Sequence, residues 1–91
     1  MDVAPCESWV FFDSCADGER LEIQGIDVWQ CKWVRCDGEM AVVRDPHYQE
    51  RREFEVYTLV QGERRVRMAA GEFSNGIWGF YVPVSPGAPG S

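Results

Sequence analysis

Phe54-Glu55-Val56-Tyr57-Thr58-Leu59-Val60-Gln61-Gly62-Glu63-Arg64-Arg65-Val66-Arg67-Met68-Ala69-Ala70 is the stretch whose reading decides the fold. Two runs rich in β-branched, aromatic and other apolar residues flank Gly62-Glu63. A glycine in the first central position supplies the positive φ that a type II′ hairpin turn needs. A two-residue loop fixes register, because a slip of one residue would send every side chain to the wrong face. Leu59 is therefore predicted opposite Val66, and Tyr57 opposite Met68. Those four make an apolar face. Arg65, Arg67, Val56 and Val60 fall on the other.

Downstream, Asn75-Gly76 is the preferred pair for a type I′ turn. It would set Phe73 opposite Trp78. Phe73 is odd-numbered, whereas Val66, Met68 and Ala70 share the inward face, so the phase must shift between them. Gly71 is the expected bulge residue. A core of Phe73, Trp78, Phe80 and Val82 follows. Upstream, the runs Trp9 to Asp13, Arg20 to Gln24, Val28 to Cys36 and Glu39 to Arg44 also read as strands. Asp37-Gly38 is predicted to turn the chain between the last two. Asp45 caps a short helical turn near residues 46–52, since Pro46 suits a first helical position. The expected fold is all-β, a small antiparallel barrel or sandwich of about seven strands. One β domain is expected over residues 1–84, with a disordered, Pro- and Gly-rich tail over 85–91.

The chain has 91 residues, which limits it to one modest core. Its formal net charge is −6, and residues 1–43 hold nine acidic and three basic side chains. That balance disfavours phosphate backbones and anionic lipid surfaces, so neither nucleic acid nor membrane is an expected partner. The arginines of the second half are interleaved with glutamates, which suits cross-strand ion pairs. Met1 to Pro5 has no signal-peptide character, and no apolar run is long enough to span a bilayer. A cytoplasmic location and reduced cysteines are expected.

Cys6, Cys15, Cys31 and Cys36 do not match the spacing of a zinc site. Cys31 and Cys36 differ in parity and should leave one strand on opposite faces. No metal and no cofactor is expected. His47 is the lone histidine, and no spacing selects a cysteine to pair with it, so no catalytic residue is assigned. Asp13, Asp17 and Asp37 fall where turns and strand ends favour Asp.

The run Val28 to Cys36 carries Trp29, Cys31, Trp33 and Arg35 on one face, and both of its faces are mixed. Its tryptophans are read chiefly as core, and otherwise as a pocket floor or a contact surface. Trp33 beside Arg35 would anchor a partner well. The expected function is therefore a non-catalytic protein-binding domain, inhibitor-, immunity- or adaptor-like, using an acidic, aromatic-containing surface. Its candidate residues are Trp29, Trp33, Arg35 and Tyr57. The expected partner is another protein of basic character. A symmetric homodimer is expected as well, burying Val56 and Val60. The alternative reading is a small-ligand binder with a Trp-lined pocket, and behind it a Cys/His enzyme.

Overall fold

The computed structural model describes residues 9–84. The expected tail over 85–91 and Cys6 lie outside them. Among the described residues there are seven strands and no helix. They are β1 (Trp9–Ala16), β2 (Glu22–Ile23), β3 (Ile26–Asp27), β4 (Lys32–Arg44), β5 (Arg51–Gln61), β6 (Arg64–Ser74) and β7 (Ile77–Pro83). Five form one antiparallel sheet in the order β1-β7-β6-β5-β4, and β2-β3 is a separate small hairpin. The architecture is all-β and sandwich-like, without barrel closure. No helix among the described residues is long and apolar enough to cross a membrane.

The β5–β6 hairpin has the expected register, with Leu59 opposite Val66 and Tyr57 opposite Met68. Gly62 has φ 62° and Glu63 does not share the positive φ, as a type II′ turn requires. From this hairpin the alternation of side chains builds two apolar layers. On the first face, Leu59, Val66, Met68, Ala70 and Phe80 are covered by Ile23, Ile26 and Val28. On the second, Ala41, Val43, Phe54, Val56, Ala69 and Tyr81 pack together, with Trp9 and Phe73 against them. The sheet curls over this second face until its edge strands β1 and β4 come into contact.

Several expectations are corrected. Asp37-Gly38 does not turn the chain. The ladder runs Arg35↔Tyr57 and then Met40↔Glu55, so residues 36–39 bulge opposite Val56 within one continuous strand. Gly38, with φ 73°, supplies the left-handed residue of that bulge. The run read as starting at Val28 begins its ladder only at Lys32, and the run Arg20 to Gln24 keeps only Glu22–Ile23 as strand. Gly71 is not the bulge residue; it pairs regularly with Gly79. The phase shift falls between Glu72 and Ser74, at Phe73. Phe73 thus joins the second face, while Trp78, Phe80 and Val82 serve the first. At Asn75-Gly76 only Gly76 has positive φ, so the turn is not type I′. The helical turn near 46–52 is a single turn over 45–49, and β5 starts at Arg51. Asp45 Oδ1 does cap it, accepting from the backbone N–H of His47 and Tyr48 at 2.7 and 2.9 Å. Val56 is fully buried within the chain, because the curled second face is itself a core. It therefore needs no second copy to cover it.

Candidate functional site

Trp29, Trp33, Arg35 and Tyr57 lie together on the β4 side of the first face. Trp29 is not on a strand. Asp27 Oδ1 accepts its backbone N–H at 2.9 Å, and the Gln30 N–H donates to the Asp27 carbonyl at 3.0 Å. This turn after β3 swings the Trp29 indole onto Trp33, with ring centres 5.6 Å apart and planes 28° from parallel. Trp33 follows in β4, and its indole N–H donates to the Val28 carbonyl at 2.6 Å. Tyr57 meets Trp33 edge-on at 5.0 Å, and Trp78 meets Trp29 edge-on at 5.9 Å. The tryptophans are half-buried and pack on the first-face core.

The polar end of the cluster faces solvent. The Tyr57 hydroxyl donates to Glu55 Oε1 at 2.6 Å. That carboxylate, helped by burial, holds the Tyr57 pKa above its ordinary value. Glu55 also pairs with Arg35 at 3.3 Å, and the Arg35 guanidinium reaches the Met40 sulfur at 3.9 Å. Met40 is 45% exposed. Trp33, Tyr57, Glu55, Arg35 and Met40 thus form one connected patch along the edge strand β4. Parity in the sequence brings out Trp33 and Arg35. Glu55 and Met40 do not stand out in the sequence, because only the β4–β5 register, with its bulge, sets them beside Arg35.

Elsewhere the polar side chains serve local structure. Carboxylates of Asp13, Glu19 and Asp27 accept nearby backbone N–H groups, as turn residues do. Arg67 pairs with Glu39 and lies 5.4 Å over the Trp9 ring, whereas Arg65 donates to the Glu63 carbonyl. Cys31 packs with the first face and Cys36 with the second. Cys36 Sγ lies 3.5 Å from the Thr58 hydroxyl. His47 is in the 45–49 turn, with its ring against Tyr48. Burial pushes the Cys15 and Cys31 thiols up in pKa, the opposite of what activates a nucleophile. The buried Trp29 indole N–H is directed at the Cys15 thiol and offsets that rise only in part. Among the described residues, no three His, Cys, Asp or Glu side chains converge on a metal position.

A groove of about 430 Å³ lies away from the Trp29–Trp33 pair, between the edges of β1 and β4. Trp9, Phe11, Val43 and Tyr81 line it, together with Arg44 and Arg51. The sequence names all of these residues but gives no sign that β1 and β4 meet. No protein-family model matches the chain, and no curated protein or solved structure matches it either.

Proposed function

We propose that this chain is a non-catalytic binding domain that holds another protein of basic character through the Trp33–Tyr57–Arg35–Met40 patch. The observation that carries this reading is the single connected cluster on an edge strand. Trp, Tyr, Met and Arg are the residue types enriched where proteins meet, and rigid aromatic anchors beside an Arg are the usual high-energy contacts. Among the described residues β4 pairs with β5 alone in the sheet, so its outer edge has no ladder partner there. The 36–39 bulge breaks that edge, which favours recognition by side chains over long strand addition. The net charge of −6, with Glu55 at the patch, suits a basic partner.

The test is quantitative affinity capture with the wild type, Arg35→Glu and Met40→Ala. Arg35 and Met40 are exposed, so both variants should melt as the wild type does. A partner lost from both variants, and eluted by moderate salt, is the expected result. If every captured protein stays bound to both, the patch is not the binding surface.

A further inference from the structure

The groove between β1 and β4 has no role in that reading, and its chemistry differs. Its volume of about 430 Å³ falls in the range of sites for one small organic molecule. Trp9 and Phe11 line its β1 side, and Tyr81 lines it from β7. Phe11 and Tyr81 are packed edge to face, with centres 5.4 Å apart. The Tyr81 hydroxyl is already engaged, since it donates to the Arg44 carbonyl. The aromatic side of the groove is therefore apolar.

The other side is cationic. Arg44 and Arg51 line the groove and are directly opposite each other in the β4–β5 ladder. Like charges in that relation oppose pairing unless an anion sits between them. Among the described residues, neither arginine is within ion-pair distance of an acidic side chain. The nearby buried carboxylate, Asp45, is already engaged by Arg52 at 3.5 Å and by two backbone N–H groups. Glu50 and Glu53 flank Arg51 in sequence without pairing to it. The Arg44 guanidinium donates to the Gln49 carbonyl at 3.3 Å.

We propose that this groove binds a small aromatic carboxylate, with its ring against Trp9 and Phe11 and its carboxylate on Arg44 and Arg51. A planar guanidinium fork matches a carboxylate in charge and in geometry, and the ring supplies the apolar contact that the arginines cannot.

The test uses 2-naphthoate and its neutral counterpart, 2-naphthylmethanol, titrated into the ¹⁵N-labelled chain. Naphthoate is expected to shift the amide signals of Trp9, Phe11, Val43 and Arg51. It should bind about tenfold more tightly than the alcohol, as charge-assisted hydrogen bonds require. In the double variant Arg44→Gln/Arg51→Gln, whose substitutions fall at exposed positions, that preference should vanish. The proposal is overturned if naphthoate leaves those amides unmoved or shifts only Trp33 and Tyr57. It is overturned equally if the alcohol binds as well, or if the double variant keeps the preference.

Discussion

Gly71 and Gly79 face each other across β6 and β7, and neither is at a turn. A Cβ on Gly79 would collide with the Phe73 ring, and one on Gly71 with the Phe54 ring. The paired glycines make a shallow trough in the second face, and two aromatic rings lie in it. Glycine ordinarily weakens a strand, and here the rings supply the packing its missing side chain would have given. Gly79→Ala is therefore expected to destabilise the fold by about 1–3 kcal/mol, through overpacking. Urea denaturation checks this, and an unchanged midpoint would mean that Phe73 can move aside freely. The same pair shows where reading by residue stops. A glycine within a strand pattern signals either a bulge or a close approach. Parity correctly demands a phase shift before Trp78, but nothing local separates Gly71 from Phe73 as its place. The close approach that Gly71 serves is to the Phe54 ring, on another strand.

β2 and β3 contribute two residues each, far too few for a hairpin to stand alone. Gln24 and Gly25, with φ 52° and 84°, give it a tight turn, and Arg64 donates to the Gln24 carbonyl at 3.0 Å. The hairpin is ordered mainly because Ile23, Ile26 and Val28 are fully buried on the first face. Ile26→Ala should cost about 2–5 kcal/mol, the range for emptying a buried aliphatic site. Hydrogen exchange should then show the 20–31 segment opening together. A cost under about 1 kcal/mol would show that the segment only rests on the sheet. At this scale the sequence was legible where alternation and turn chemistry agree, as at Gly62-Glu63. It is ambiguous where one dipeptide serves two geometries. Asp37-Gly38 fits a hairpin or a bulge equally well, and the choice falls to the long partner strand β5, which spans both halves of β4. The Trp29, Trp33, Arg35 and Tyr57 cluster was legible in its members. Its link to Glu55 was not, because it depends on that bulge.

For the whole molecule, the joint where β4, β5 and β7 meet carries two titrating groups whose contributions to stability are lost in opposite directions of pH. Asp45 is held below the usual carboxylate range by the N–H groups of Tyr48 and His47 and by the Arg52 charge, against the opposing effect of burial. A lowered folded pKa contributes stability that is complete above the unfolded value near 4 and is lost as pH falls through the folded one. Tyr81 behaves in the other sense. Burial, with the Asp45 charge, pushes its pKa from 10.0 up to about 12. A raised folded pKa contributes stability that is complete below pH 10.0 and is lost as pH rises toward about 12. The chemistry agrees, since a phenolate cannot donate to the Arg44 carbonyl and would be a buried charge. Chemical denaturation against pH should therefore show a plateau with an acid and an alkaline limb. Burial also raises Cys15 and Cys31 from 9.0, so the alkaline limb should begin before Tyr81 ionises. Tyr81→Phe should lower stability on the plateau through the lost hydrogen bond, by about 1 kcal/mol. The same variant should flatten the part of the alkaline limb above pH 10. Asp45→Asn should flatten the acid limb and, by removing the charge that helps raise Tyr81, soften the alkaline limb slightly. An alkaline limb unchanged in Tyr81→Phe would place its origin in the cysteines and Tyr57. The curl that brings β1 onto β4 would then be held by apolar packing, without help from this hydroxyl.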